Sequence, residues 1–173
     1  MMGKESKLVV ALLIVMIAVM AIVGRMLVSN KTIKFRSLSH GRTCGVTHRY
    51  DVVITSQSDM KALWEQMYGV APIASAPIID FDRNVVLAVF QGQKPSDGYE
   101  VLVTKVVAIR DRILVLVGEH CPGEGEIVGG APSQPFDMVI IHRPNLPVDF
   151  IWDRTCHRTG SMTSPVCNDA SPP

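Results

Sequence analysis

The chain has 173 residues, 47% of them apolar and 19% charged, with a formal net charge of +1. That length suits one compact domain and excludes two ordinary catalytic domains. The near-neutral balance, with no basic stripe, excludes the phosphate-neutralising surface of a nucleic-acid binder.

The apolar excess is concentrated at the amino terminus. The first 30 residues contribute three of the 17 basic and one of the 16 acidic side chains, so the other 143 carry 14 against 15. Residues 1–7 form a short segment with Lys4 and Lys7, and Leu8–Gly24 follows without a charge. At ~1.5 Å per residue a helix over 8–28 spans about 31 Å, enough for a bilayer core if Arg25 snorkels to the interface. The sequence therefore predicts a transmembrane signal-anchor at 8–28. A cleaved secretory signal is the rival, but it has a shorter apolar core, and Val19-Met20-Ala21 is a weak cleavage site. The absence of Cys before Cys44 excludes a lipoprotein signal. Arg25, Lys31, Lys34 and Arg36 after the span would hold the carboxyl side inside by charge. Four cysteines beyond the span and a Ser/Thr/Pro-rich end favour an oxidising compartment. The expected location is a single-pass cell-membrane protein whose soluble domain is extracytoplasmic, either periplasmic or extracellular.

Residues 29–49 read as a juxtamembrane linker with a first strand at Ile33–Ser39 and a turn at Gly41–Gly45. The β-domain is expected over 50–153, opening with a strand at Tyr50–Thr55. Ser56 with Asp59 three positions on is a helix-start signature. Met60, Leu63, Trp64 and Met67 continue it as an amphipathic helix of about ten residues, stopped by Gly69 and Pro72. Asn84–Gln91 is a continuous apolar run, as a fully buried strand requires. Tyr99–Ile109 and Ile113–Val117 read as strands joined at Arg110-Asp111-Arg112. Residues 121–135 form a long Gly/Pro-rich loop with a short edge strand at 126–128, and Phe136–Arg143 and Val148–Trp152 complete the set. The predicted fold is mainly β, an antiparallel sandwich or open barrel with one short α-helix, preceded by the transmembrane helix. Residues 154–173 are a Cys-containing tail.

Catalytic motifs are missing. The chain has no Gly-x-Ser-x-Gly elbow, no phosphate-binding Gly-x-x-x-x-Gly-Lys and no His-Glu-x-x-His. Gly123-Glu124-Gly125 lacks the third glycine and the helix of a dinucleotide site. His120-Cys121 and Cys156-His157 are adjacent pairs whose members point apart in a strand, so neither forms an activated thiolate alone. No enzyme activity and no cofactor are expected. Cys44, His48, His120, Cys121, Cys156 and His157 contain the atoms for a zinc site but follow no zinc-binding spacing. Two structural disulfides are the simpler reading, Cys156–Cys167 as the local pair and Cys44–Cys121 as the other, with no metal.

The most specific local signal is the loop Gln91-Gly92-Gln93-Lys94-Pro95-Ser96-Asp97-Gly98-Tyr99. It reads as a β-hairpin with Asp97-Gly98 supplying a positive-φ turn, or as a contact surface through Lys94, Pro95, Ser96, Asp97, Gly98 and Tyr99.

That loop carries a resemblance. Ile79-Asp80-Phe81-Asp82, the strand Val85–Phe90 and Gly92-Gln93-Lys94-Pro95-Ser96-Asp97-Gly98-Tyr99 resemble the carboxyl-terminal domain family of PrcB, a protease-complex subunit. The family pattern is Asp-Phe, a buried strand, then Gly-Gln-Lys-Pro-Thr-Gly-Gly-Tyr. Thr104-Lys105-Val106, Pro122, Gln134-Pro135-Phe136, Val139-Ile140-Ile141 and the helix with Leu63-Trp64 fit the same plan, so the likeness covers Val52–His142. It departs where Ser96-Asp97 replaces Thr-Gly. The resemblance implies a protein-binding module that associates with, or assists maturation of, a secreted or membrane protease. A second likeness is to chagasin-type protease inhibitors, through Lys94–Tyr99, Gly123-Glu124-Gly125 and His142-Arg143-Pro144 in that order. Asn145 stands where those inhibitors have Trp. It implies an alternative surface that includes Gly123, Gly125 and Arg143.

Overall fold

A computed structural model describes residues 13–17, 20, 30–69, 75–123 and 125–153. The strands are β1 (Lys31–Ile33), β2 (Arg36–Gly41), β3 (Arg49–Ile54), β4 (Asn84–Gln91), β5 (Glu100–Ala108), β6 (Ile113–His120), β7 (Phe136–His142) and β8 (Val148–Asp153). One helix, α1 (Gln57–Tyr68), lies between β3 and β4. The strands form two open four-stranded sheets, ordered β1-β5-β6-β8 and β2-β7-β4-β3. The sandwich expectation holds at this level, and the barrel alternative falls because neither sheet closes.

The second sheet is the middle layer of three, and side-chain parity explains why. Along β4, Val86, Ala88 and Phe90 join a core with Met60, Leu63 and Met67 of α1, while Val85, Leu87 and Val89 join a core with Val101, Val115 and Val117 of the other sheet. β7 divides in the same way, Phe136, Met138 and Ile140 against Val139 and Ile141. Strands buried on both faces read as unbroken apolar runs, which is how β4 appears in the sequence.

The helix caps form as the sequence requires. Ser56 Oγ accepts from the Asp59 backbone N–H at 3.1 Å, and the Gly69 N–H, at φ 84°, closes the other end on Glu65 O at 2.7 Å. Gln57 then ties the returning chain to the helix start, donating to Pro77 O and accepting from Ile79 N.

Several expectations need correction. The first strand is two strands: Ile33 pairs with Val106 of one sheet and Arg36 with Ile140 of the other, so the chain changes sheet at exposed Lys34-Phe35. The fold is not wholly antiparallel, because β8 runs parallel to β6. A register shift between Val103 and Lys105 re-aims β5, so Val101 and Val103 point inward before it and Val106 after it. Residues 126–128 form no strand, and Ile127 is fully exposed. Among the described residues no helix is long and apolar enough to cross a membrane. The expected span at 8–28 lies largely outside them; within it Leu13–Ile17 and Met20 are helical with exposed apolar side chains. Residues 154–173 and Pro72 also lie outside the described residues.

The two-faced middle layer has a measurable signature. Leu87 is 0% exposed and Leu102, on the outer face of the first sheet, is 39% exposed. Leu87→Ala is expected to cost about 2–5 kcal/mol in denaturant unfolding, through lost burial plus a cavity. Leu102→Ala should stay within about 0.5 kcal/mol.

Candidate functional site

Register divides the molecule into two ends. Lys31, Ile54, Asn84, Ala108, Ile113, His142 and Val148 lie at the end where the chain enters the domain. Gly41, Arg49, Gln91, Glu100, His120 and Phe136 lie at the other. Two of the loops singled out in the sequence emerge at that second end. Residues 92–99 carry the chain from β4 to β5, and 121–135 carry it from β6 to β7. Each pair of strands belongs to different sheets, so both loops are sheet-to-sheet crossings and the hairpin reading of 91–99 is wrong.

The two crossings are bound to each other. Lys94 N donates to Ser133 O at 2.8 Å and Ser133 N returns the bond to Lys94 O at 3.0 Å. Ser133 Oγ donates to Ser96 O, and Asp97 N approaches Gly129 O at 3.4 Å. Gln93 N donates to Thr47 O and Gln134 N to Arg42 O, which fasten both loops to the β2–β3 connection. Lys94 Nζ lies 5.8 Å from the centre of the Tyr99 ring. Pro95 is exposed beside them.

The glycines act differently from the expectation. The positive-φ residue is Gly92, at 76°, where a Cβ would also meet Arg49 N at 2.9 Å. Gly98 has no positive φ; it is small because a Cβ there would stand 2.6 Å from Val128 and 3.0 Å from Pro122. Gly125 is left-handed in open space at φ 81°, and Gly123 N donates to the Glu126 carboxylate at 2.7 Å. The third expected loop is elsewhere. Arg143 follows His142, which pairs with Asn84, and it bonds Arg83 O and Phe81 O. Six residues of β7, about 20 Å at ~3.4 Å each, separate it from the joined loops. Lys94–Tyr99 and Gly123–Gly125 share a surface; Arg143 does not share it.

Beneath the loops the inter-sheet core turns polar. Parity sends Arg49 and Asp51 of β3, Gln91 of β4, Glu119 of β6 and Asp137 of β7 into that layer. Arg49 pairs with buried Glu119 at 2.9 Å and stands 4.1 Å over the Trp152 ring. Trp152 Nε1 donates to Asp51 at 2.7 Å. Asp137 accepts from Val103 N at 2.8 Å. Gln91 is 2% exposed, and among the described residues its Oε1 meets no hydrogen-bond partner. Sequence reading missed this network; the signal available was a polar residue closing an otherwise apolar alternation, as in Val115-Val117-Glu119.

The cysteine assignments change. Cys44 is a buried free thiol whose Sγ donates to Gln134 O at 3.3 Å, and burial pushes its pKa up, so the expected Cys44–Cys121 bridge does not form. Cys121 is disulfide-bonded. Cys156, Cys167 and His157 lie outside the described residues. Among the described residues no group of three or more His, Cys, Asp or Glu is placed to hold a metal ion.

Fold and site together define a class: a two-sheet β-domain, covered by one helix, that presents two joined sheet-crossing loops at the end away from its chain entry. Residues 85–142 match the family model described as PrcB C-terminal, which bears out the resemblance drawn from the loop motif. The match starts in β4, ends with β7 and contains both joined loops; β3, α1 and Arg143 lie outside it. No curated protein and no solved structure matches the chain.

The buried Asp137 yields a pH test. Desolvation raises its carboxyl pKa in the folded protein, so ionisation opposes folding. Its penalty is absent below the ordinary carboxylate range, grows as pH rises through that range, and is complete above the raised folded value. Asp137→Asn keeps an oxygen for Val103 N. Melting temperature measured from pH 3 to 7 should therefore fall less with rising pH in the variant, which should be at least as stable at pH 7.

Arg49 yields a second test. Removing one partner of a buried ion pair costs about 3–5 kcal/mol, because the other charge is left uncompensated. Glu119 has only 3% of its side chain exposed. Arg49→Ala is expected to approach that loss in chemical denaturation, and adding Glu119→Leu should recover much of it.

Proposed function

We propose that this protein is a membrane-anchored, extracytoplasmic and non-catalytic binding module that associates with a secreted or membrane protease. The observation that carries the reading is the pairing of Lys94 with Ser133, which joins the two sheet-crossing loops into one surface. The PrcB C-terminal match over both loops supports a protease as partner. The uncharged run Leu8–Gly24 supports the anchor. Because the chain enters at the opposite end, an anchored domain would hold the joined loops on its far side from the bilayer. A three-loop inhibitor has less support, since Arg143 lies at the entry end.

Alkaline carbonate washing should leave the protein in the membrane fraction, with its amino terminus near Met1. Co-purification from those membranes identifies the bound protease. The joining bonds at Lys94 come from its backbone, and Asp97 also contributes its backbone N–H, so Ala at both positions preserves them. The double variant Lys94→Ala/Asp97→Ala is expected to keep its stability within about 0.5 kcal/mol. It should lose about 2 kcal/mol or more of affinity for the recovered protease. Unchanged affinity would remove this surface from the interaction. A rise in protease activity on removing the module would favour inhibition, and a fall would favour maturation or support.

A further inference from the structure

A groove of about 270 Å³ runs along the flank of the middle layer, between the edge strand β3 and α1. Its floor includes Tyr50 and Val52, and the wall from α1 presents Asp59, Ala62, Leu63 and Gln66, residues at the three- and four-residue spacing of one helical face. Ala62 is small and exposed at the middle of that wall, which keeps the groove open. The volume falls below the ~300–1,000 Å³ of sites that enclose a drug-sized molecule.

Among the described residues the strand beside the groove pairs on one side, with β4. β3 is at the end of its sheet and holds continuous register with β4 over six residues. Of the other end strands, β1 has three residues and β2 carries a register shift, while β8 is six residues long and pairs parallel to β6. Gln91 N donates to Pro135 O on the β7 side. Alternation then turns Tyr50, Val52 and Ile54 toward β4 for hydrogen bonding, and turns the backbone groups of Asp51 and Val53 outward. Such a row of donors and acceptors is matched by an extended polypeptide. Among the groove's lining residues Asp59 supplies a negative charge and none supplies a positive one.

We infer that β3 and α1 form a docking site for an extended peptide segment of a partner protein. The segment adds as a strand to β3, directs alternate apolar side chains onto Val52 and Leu63, and carries a basic residue toward Asp59. The site is separate from the joined loops and does not depend on them.

The test uses the full-length protein in phosphatidylcholine nanodiscs and two synthetic ten-residue peptides. One is Lys followed by alternating Val and Thr; the other has Pro at alternate Thr positions, which removes the pairing N–H groups. The first should bind saturably by fluorescence anisotropy and slow amide exchange at Asp51 and Val53. The Pro peptide should bind at least tenfold more weakly. Ala62→Arg, an exposed substitution that keeps a good helix former, should cost at least tenfold with an unchanged melting temperature. Equal binding of both peptides, or full binding by a folded Ala62→Arg variant, would overturn the inference. So would peptide-independent protection of Asp51 and Val53 that rises with protein concentration, since a second copy would then occupy the edge. If Ala62→Arg does not fold, exchange protection in the unmodified protein decides. The Lys94→Ala/Asp97→Ala variant should bind the first peptide normally, so failure at the groove and failure at the loops are told apart.

Discussion

The β4–β7 pair must be kept dry on both faces. Val85 to Phe90 and Phe136 to Ile141 are buried without interruption, so neither strand has a side that water can cover. One cover is α1, which Met60, Leu63 and Met67 seat on the Phe90–Phe136 face. The other is an entire second sheet. Fully burying a large apolar side chain stabilises by roughly 1.5–3 kcal/mol, and a middle layer collects that gain from both sides of each strand. A single-faced sheet of the same length would collect it from one. The arrangement therefore commits the chain to cross between sheets repeatedly, at 34–35, 92–99, 121–135 and 143–147. The joined loops are a consequence of that requirement, because two crossings at one end must pass close together.

Closing the inter-sheet layer poses a different problem at each edge. Next to β1 and β2 the chain itself passes from one sheet to the other, so backbone seals the core. At the β3–β8 edge no sheet-to-sheet connection passes among the described residues, and side chains complete the seal. Trp152 covers the opening, Asp51 holds its indole N–H, and Arg49 lies over its ring while reaching Glu119 on the facing sheet. The guanidinium serves the Trp152 ring and the Glu119 carboxylate at once, with a planar charge that stacks and donates together. Lys could supply the charge there but not the fork. The polar end of the layer is thus built on groups whose partners come from opposite sheets, and it fixes how the sheets sit on one another.

Much of this was legible in the sequence where local chemistry decides. Asn84–Gln91 and the capped helix at Ser56 were readable because burial on two faces and backbone capping leave direct marks on residue choice. Sheet membership left no such mark. Asp97-Gly98 resembles a hairpin turn, yet the same small residues are needed for Gly98 to pass under Val128 and Pro122. The split between β1 and β2 falls at Lys34-Phe35, with neither Gly nor Pro to announce it. Cys44 could be counted but not placed, since an even number of thiols says nothing about which one a backbone carbonyl will shelter. The Arg49–Glu119 pair spans 70 residues and was beyond any local rule.

The exposed flank follows from the same layering. A helix covers a strip about 10–12 Å wide, whereas strands lie ~4.8 Å apart, so one helix shields about two strands. α1 is centred on the strands that need it most, where Ala88, Phe90 and Met138 are fully buried. The remaining width must be left at an edge. At β2 a register shift and the chain entering from β1 occupy that side. At β3 the pairing stays regular, and Tyr50, Val52 and Val53 are only partly buried beside an open groove. A regular edge with half-covered apolar side chains is the arrangement that soluble β-proteins usually suppress. Its presence is explained if a further strand completes the middle layer, supplying β3 with the neighbour that every interior strand already has.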